Sequence, residues 1–331
     1  MFLSFKKLIA VLMTFALLLC FNGCDKKKLT NAYINYQANN NSMIAGSVVS
    51  EESVKQVESF ANNIAVLPEG FKNSFDLNDV DNKAELLLVN DESNEVLYSL
   101  NSMEETANAS TTKLLTSYIA LKELDMNEVV TVKNDIILEE GAVSIYLRPG
   151  DQISVNDLMH GLLLASANDC AVVLAEAVSG SVENFAKLMN KTAKELGATH
   201  SHFMNPHGLD ADGHYSCAYD LYLFLKHDLE IEEFNNIVAK KEYEVQYYRD
   251  GEVIKIPVNT TNKYINGEVT VPDNFTIIGG KTGTTTNAGH CLTLSAYNYN
   301  NERVIAIVLN TTDVDTLYKT MTELITENGT S

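Results

Sequence analysis

Ser110 and Lys113 are the first pair of residues whose types are suited to chemistry. They lie three positions apart at the start of an apolar run that predicts a helix. Side chains at such spacing share one helix face, so the lysine amine can reach the serine hydroxyl. Serine is a poor nucleophile without a base, and only a neutral lysine can be that base. Burial and a second nearby cation each lower a lysine pKa. The pair predicts an activated serine, although a capping serine beside a surface lysine has the same spacing.

A second polar pair, Ser166 and Asn168, lies between two apolar helical patterns. Polar side chains on an inter-helix turn within apolar surroundings need hydrogen-bond partners. The pair therefore predicts a second polar segment of the same site. A helix cap followed by a turn asparagine is the plain alternative.

The third segment is Lys281-Thr282-Gly283-Thr284, which follows two apolar residues and two glycines and is expected to begin a strand. Glycine in a strand allows close approach of a ligand backbone. A lysine with two hydroxyls suits a carboxylate. The plain alternative is a turn with a solvated lysine.

Taken in order, the three segments resemble the penicillin-recognising serine enzymes, in which Ser-x-x-Lys, Ser-x-Asn and Lys-Thr-Gly motifs follow one another. The wider segments 109–113, 166–169, 205–209 (Asn-Pro-His-Gly-Leu) and 280–283 are similar to the low-molecular-mass D-alanyl-D-alanine carboxypeptidases. The resemblance covers about residues 84–328. It implies a fold of the β-lactamase/transpeptidase type and an enzyme without a metal or cofactor.

The resemblance also implies the chemistry. The enzyme would act on peptidoglycan stem peptides ending in D-Ala-D-Ala and would be acylated by β-lactam antibiotics. Ser110 would attack the penultimate D-Ala carbonyl, and Lys113 would be the general base for acylation. Ser166 would relay a proton to the leaving amine, and Asn168 would position the substrate amide and Lys113.

Substrate binding is implied for the third segment. Lys281 and Thr282 would hold the terminal carboxylate, and Gly283 would allow close approach. The backbone N–H groups of Ser110 and Thr284 would form the oxyanion hole.

Hydrophobic patterns predict the elements that position these motifs. Apolar residues at 86–89 and 96–98, and alternating ones at 292–296 and 304–308, predict two β-hairpins at opposite ends of the domain. Apolar residues at helical spacing fill the middle, and 314–325 predict a closing amphipathic helix. We expect an α/β (α+β) fold, with one antiparallel sheet from both chain ends, flanking helices and a mainly helical insertion.

The N-terminus is typical of an exported protein. Two lysines precede an apolar run at 8–21, which is too short to span a membrane and fits a signal peptide over residues 1–23. Gly23-Cys24 resembles a bacterial lipoprotein cleavage site, so Cys24 is the predicted lipidation site and membrane anchor; ordinary cleavage nearby or an uncleaved anchor are alternatives. Residues 24–60 are polar and predict a flexible tether. The catalytic domain is expected at 61–331, without a C-terminal β-domain.

Composition limits the remaining function classes. The chain has 331 residues, 24 Lys and Arg against 44 Asp and Glu, and a net charge of −20. Such an acidic surface repels phosphate backbones and argues against nucleic-acid binding. Beyond the export region three cysteines remain, Cys170, Cys217 and Cys291, which allow at most one intramolecular disulfide and favour buried thiols.

Other functions stay open at this point. A class A β-lactamase needs a glutamate-bearing loop, and residues 197–216 contain no Glu. A zinc D,D-peptidase could use His200, His202, His207 and His214. A D,D-endopeptidase would use the same serine motifs. A wall-binding pseudoenzyme would be expected to carry a broken motif, whereas all three motifs are intact.

Overall fold

A computed structural model of the chain describes residues 63–78 and 80–327. The predicted signal peptide, Cys24 and the tether lie outside the described residues. Within the described part, no helix is both long and apolar enough to cross a membrane.

Strands and helices alternate in blocks along the described chain. The strands are β1 (Glu85–Asn90), β2 (Glu95–Leu100), β3 (Val129–Thr131), β4 (Gln152–Ser154), β5 (Glu242–Arg249), β6 (Glu252–Asn259), β7 (Thr276–Thr285), β8 (Gly289–Tyr297) and β9 (Arg303–Thr311). A 3-10 turn, Ala109–Thr112, precedes the first helix. The helices are α1 (Lys113–Glu123), α2 (Val155–Leu163), α3 (Asn168–Ser179), α4 (Val182–Glu195), α5 (Ala218–Asp228), α6 (Glu232–Val238), α7 (Lys263–Asn266) and α8 (Val314–Glu327).

The larger sheet has five antiparallel strands in the order β2-β1-β9-β8-β7. β1 lies beside β9, with Leu87 opposite Ile307, so the first hairpin pairs with the last strand of the chain. Both predicted hairpins, and a sheet assembled from both ends of the domain, are confirmed. The strand β7, which carries the third motif, lies at one edge of this sheet.

The two faces of this sheet are covered separately, because alternate residues of a strand point to opposite sides. Leu87 and Ile307 join the core that includes the internal helices. Leu86 and Val308 pack on the other face with Met321 of α8. The predicted closing helix is thus confirmed as the cover of the outer face.

The insertion between β2 and β7 differs from the expectation of a mainly helical segment, because it also contains a four-stranded sheet ordered β3-β4-β5-β6. β5 and β6 are joined by Asp250 and Gly251, whose φ angles are 52° and 85°. Two left-handed residues in a two-residue loop form the tight hairpin turn for which Asp-Gly is a strong signal. In the sequence, the Asp250-Gly251 pair is therefore the local signal for the β5–β6 hairpin.

Cys170, Cys217 and Cys291 are buried free thiols. Burial raises the pKa of each of them. Thiols in such surroundings are inert packing residues, because the reactive thiolate is disfavoured.

Glu85 is a buried carboxyl on β1, 3% exposed, and one of its oxygens has no hydrogen-bond partner. Burial raises the pKa of Glu85 from 4.5 to about 8. The folded state therefore keeps a proton that the unfolded chain releases near pH 4.5, so the free energy of unfolding falls as pH rises from about 5 to 8. We expect Glu85→Gln to remove part of this slope, worth about 2–4 kcal/mol at pH 8.

Chemical denaturation at pH 5 and pH 8 measures this slope. Glu95→Gln on the neighbouring strand β2 is the matched control, because Glu95 is exposed. Parallel slopes for wild type and Glu85→Gln would contradict a raised pKa at Glu85.

Candidate active site

Ser110 lies in the 3-10 turn and Lys113 is the first residue of α1. The turn is conformationally specific, since Ala109 has a φ of 48°, in the left-handed region. The buried Asn108 amide donates to the hydroxyls of Thr111 (3.1 Å) and Thr112 (2.9 Å). These bonds hold the turn that presents Ser110 at the N-terminal end of the helix.

Lys113 is fully buried, and its Nζ lies 2.8 Å from Ser110 Oγ, 2.8 Å from Asn168 Oδ1 and 2.6 Å from the His207 carbonyl oxygen. Burial, and secondly the charge of Lys281, hold the pKa of Lys113 well below its usual value. Burial and a nearby cation, the two effects that favour a neutral lysine, are therefore both present at Lys113.

Ser166 and Asn168 lie at the turn between α2 and α3, as predicted. Ser166 has a φ of 63°, a conformation that non-glycine residues adopt at a cost. Asn168 begins α3; its amide donates to the Val143 carbonyl (3.1 Å), which leaves its oxygen for Lys113. The adjacent Asp169 carboxylate accepts from the backbone N–H of Ile145, and so fixes the loop that contains Val143.

The third motif lies in the second half of β7 rather than at the start of a strand, because pairing with β8 already begins at Thr276. Lys281 is buried, and its Nζ donates to Ser166 Oγ (3.0 Å) and to the Thr282 carbonyl (2.8 Å). Burial lowers the pKa of Lys281 to about 7. Lys281 thus joins the second motif to the third.

Gly283 brings β7 against the turn that carries Ser110. A Cβ at position 283 would lie 2.9 Å from the Ser110 nitrogen and 3.0 Å from the Ala109 Cβ, so a side chain there would crowd the turn. The next residue, Thr284, bonds through its hydroxyl to His290 (3.0 Å) on β8. Ser110 and Thr284 therefore both lie where β7 contacts the 3-10 turn.

A cleft of about 260 Å³ opens over these groups. Its lining includes Ser110, Ser166, Thr282, Gly283 and Thr284. The hydroxyls of Thr282 and Thr284 on β7 and that of Ser110 therefore face one volume, which is large enough for the end of a short peptide.

The four histidines of the zinc alternative do not converge. The His214 ring bonds to Thr112 (2.9 Å), whereas His202 bonds to a backbone carbonyl and His207 accepts from a backbone N–H. His200 contacts the hydroxyl of its neighbour. Among the described residues, no group of three or more His, Cys, Asp or Glu is placed to hold a metal ion. This geometry does not support a zinc site at these residues.

The β-lactamase alternative concerns the segment 197–216. Its Asp210 is held by the end of β7 and the turn after it, since the carboxylate accepts from the Thr285 hydroxyl (2.7 Å) and the Asn287 N–H (3.3 Å). The carboxylate therefore has a structural role in joining this loop to the end of the strand.

The structure adds groups that the motifs did not reveal. The carbonyls of His207 and Val143 are backbone atoms, which residue type cannot identify. Thr261 also lines the cleft, and its hydroxyl lies 2.5 Å from that of Thr282. Lys263, at the start of α7, lines the same cleft. In the sequence, residues 260–263 (Thr-Thr-Asn-Lys) form a short segment between two elements, and nothing in it indicated that it lines the cleft.

A family model and curated relatives match much of this chain. The family model described as D-alanyl-D-alanine carboxypeptidase matches residues 72–313. The D-alanyl-D-alanine carboxypeptidase DacF of Bacillus subtilis (strain 168) is 37% identical over 227 residues, which cover 67% of this chain and 56% of the relative. DacC of Escherichia coli (strain K12) is 36% identical over 236 residues, or 67% of this chain and 55% of the relative. The chain thus spans about half the length of these curated relatives.

Solved structures show the same fold. The crystal structure of the Streptomyces K15 DD-transpeptidase superposes with a TM-score of 0.64 at 25% identity, covering 70% of this chain and 91% of that one. The family model covers well over half of the chain and includes all three motifs. On this evidence the chain belongs to the D-alanyl-D-alanine carboxypeptidase family.

Proposed function

We propose that the protein is a serine D-alanyl-D-alanine carboxypeptidase that removes the terminal D-Ala from peptidoglycan stem peptides through an acyl-enzyme on Ser110. The observation that carries this is the set of contacts around Lys113. A neutral amine has two N–H groups and one lone pair. Asn168 Oδ1 and the His207 carbonyl can only accept, so they take the two N–H groups. The lone pair is then left for the Ser110 hydroxyl at 2.8 Å.

The reaction follows from this arrangement. Lys113 accepts the Ser110 proton while Oγ attacks the penultimate carbonyl, and the N–H groups of Ser110 and Thr284 stabilise the oxyanion. Ser166 delivers a proton to the leaving amine as the peptide bond breaks. Its donor is Lys281, whose ammonium lies 3.0 Å away. Water then attacks the ester; its proton passes through Ser166 back to Lys281, and the Lys113 ammonium returns a proton to Ser110 Oγ, so both lysines and Ser110 are restored.

Binding of the substrate is assigned to the remaining groups. The Thr282 hydroxyl meets the terminal carboxylate, and Lys281 contributes positive charge behind Ser166. Gly283 lets the peptide backbone lie close to β7. β-Lactams would acylate the same serine, because they present a strained amide to it.

The test uses full-length protein in detergent, a fluorescent penicillin and a peptide ending in D-Ala-D-Ala, each with and without EDTA. We expect one adduct on Ser110 by peptide mass spectrometry, release of D-Ala, and no effect of EDTA. Ser110→Ala should form no adduct and release no D-Ala. A folded wild type without adduct or release would instead indicate a wall-binding protein, and EDTA-sensitive release without adduct would indicate a metallopeptidase.

We further propose that the protein is exported and anchored to the membrane through a lipid on Cys24, facing the cell wall. The support lies in the sequence: the apolar run at 8–21 and the Gly23-Cys24 pair. A multiply acylated cysteine anchors firmly, whereas one acyl chain is marginal.

Cys24→Ser is therefore expected to move most of the protein from the membrane fraction to the soluble fraction of a bacterial host. Cys20→Ser is the matched control and should stay in the membrane fraction. Retention of Cys24→Ser in the membrane would contradict the lipid anchor and point to the apolar run instead.

A further inference from the structure

His214 is a buried histidine whose ring contacts the turn that carries Ser110, and no step of the proposed reaction uses it. The residue is 8% exposed. Its backbone N–H donates to the Ala211 carbonyl (3.0 Å), and the next residue, Tyr215, exchanges two backbone bonds of 2.9 Å with His202. The position of the ring is therefore fixed by the backbone on which it is carried.

The hydrogen bonds of the His214 ring determine where its proton lies. The Met204 N–H donates to Nδ1 (3.2 Å), so Nδ1 carries no proton. The proton of the neutral ring is then on Nε2, which lies 2.9 Å from Thr112 Oγ1. The buried Phe203 ring packs edge-on against the imidazole, with 5.5 Å between the ring centroids. His214 is therefore a fixed N–H donor to Thr112.

Thr112 is fully buried and directly precedes Lys113 in the sequence. Its Oγ1 accepts from Asn108 Nδ2 (2.9 Å) and from His214 Nε2. A hydroxyl oxygen has two acceptor lone pairs, so both are filled. The Asn108 bond lies within the turn, whereas the His214 bond comes from 102 positions away. Loss of the His214 donor would leave a buried lone pair unpaired and release the turn from this loop.

The surroundings of the His214 ring keep it neutral. Burial, and secondly the charge of His202, lower the pKa of His214 to about 4. A second proton, on Nδ1, would confront the Met204 N–H. Within the described part of the chain, the titratable groups that face the ring are His202, His207, Asp210 and Lys113. The donor to Thr112 is therefore present at neutral pH and is lost only in acid.

We infer that His214 is a positioning residue for the acylation of Ser110: as a neutral ring with its proton on Nε2, it holds Thr112 and with it the turn that presents the nucleophile. This rests on the proposed function, because it assigns His214 an effect on the acylation rate. His214 is not among the described residues that line the cleft, so its effect passes through Thr112.

The test measures the second-order rate constant for acylation by a fluorescent penicillin at pH 7, together with thermal unfolding, on full-length protein in detergent. His214→Phe keeps a ring without the N–H, and should slow acylation about 10-fold, as a displacement of the turn by less than about 1 Å would. His214→Gln places an N–H near the position of Nε2 and should recover most of the rate. His202→Gln is the matched control, because the exposed His202 ring bonds to the Gly213 carbonyl instead of the turn; it should keep the wild-type rate.

A double-mutant cycle tests whether the effect passes through Thr112. Thr112→Val removes the acceptor and should slow acylation at least as much as His214→Phe. The double variant should be no slower than Thr112→Val alone, because both changes remove the same bond. Losses that multiply would contradict this path. If His214→Phe does not fold, His214→Gln replaces it in the cycle: its rate should match the wild type with Thr112 present, and a loss there would overturn the inference.

Two readouts report on the ring itself, which a merely structural role would leave unchanged. Nitrogen-15 NMR of the histidine-labelled full chain, with His214→Gln to identify the signal, should show a protonated Nε2 and an unprotonated Nδ1 at pH 6. The ratio of the His214→Gln acylation rate to the wild-type rate should be constant between pH 8 and pH 5. It should rise as the pH falls through about 4, because glutamine does not titrate.

A proton on Nδ1 at pH 6, or equal acylation rates for His214→Phe and His214→Gln, would overturn the assignment of His214. A wild type with the expected ring signal that forms no penicillin adduct would instead refute the proposed function, and the role of His214 in acylation with it. The two failures are distinguishable, because the NMR signal reports on His214 independently of Ser110.

Discussion

Lys113→Met is expected to lower the rate of acylation by penicillin on the order of 10²–10⁴-fold, the usual contribution of a general base. Methionine keeps an unbranched side chain of similar length and removes the amine. Ser110 then has no proton acceptor at 2.8 Å. The second-order rate constant with a fluorescent penicillin measures the effect, and thermal unfolding checks that the variant is folded.

Lys122→Met is the matched control on the same helix. Lys122 is exposed and contacts the Tyr118 ring at 5.8 Å, so its loss should leave acylation unchanged. Near-normal acylation of folded Lys113→Met would contradict its role as the base.

The pH dependence gives an independent readout of the same residue. Acylation should rise with pH as Lys113 loses its proton, and should level off below the usual range for lysine, because burial and Lys281 lower its pKa. Removing the positive charge in Lys281→Met raises the pKa of Lys113. The rising limb of the acylation rate plotted against pH should therefore move to higher pH. The difference should be largest below pH 7, since the pKa of Lys281 is about 7. An unchanged limb would contradict the coupling of the two lysines.

Features encoded within a few residues were predictable from the sequence. The Ser110–Lys113 spacing placed an amine beside a hydroxyl, and the two lie 2.8 Å apart. Short apolar runs located β1 and β2, and alternation of apolar residues located β8 and β9. Each of these depends on local geometry, which residue type and spacing determine directly.

Contacts between residues far apart in the sequence were harder to predict. The His207 carbonyl reaches Lys113 across 94 positions and acts through its backbone, so no residue type signals it. Thr261 and Lys263 join the cleft because the segment that follows β6 contacts Thr282 of β7. The four-stranded sheet was not predicted because β3 and β4 have three residues each, too few to show a pattern, and β4 pairs with the distant strand β5. The Asp250-Gly251 turn marks only one of its hairpins. Site residues that depend on packing therefore required the structure.

The second large predicted effect concerns Gly208, which packs closely against the turn that carries Ser110. Its φ is 84°, and a Cβ at this position would lie 1.9 Å from the Ala109 carbonyl oxygen and 2.8 Å from Thr112 Oγ1. The obstacle is mainly backbone, which cannot rotate aside as a flexible side chain can. An alanine would therefore displace the turn that carries Ser110.

Gly208→Ala is expected to cost about 2–5 kcal/mol of unfolding free energy, from the left-handed backbone and the overlap together. Acylation of the remaining folded protein should fall about 10²-fold, since a displacement near ~1 Å has that effect on a positioned nucleophile. Chemical denaturation and the rate of penicillin labelling measure the two losses separately.

Gly213→Ala separates backbone strain from overlap. Gly213 has a φ of 79°, but a Cβ at this position would meet nothing nearer than His202 Nδ1 at 3.8 Å. It should lose only the left-handed cost, about 1–2 kcal/mol, and keep its acylation rate. If Gly208→Ala behaved like Gly213→Ala in both measurements, the close approach of Gly208 to Ala109 would not be what positions Ser110. If only Gly208→Ala loses acylation, the Asn-Pro-His-Gly-Leu segment acts on the nucleophile through Gly208 as well as through the His207 carbonyl.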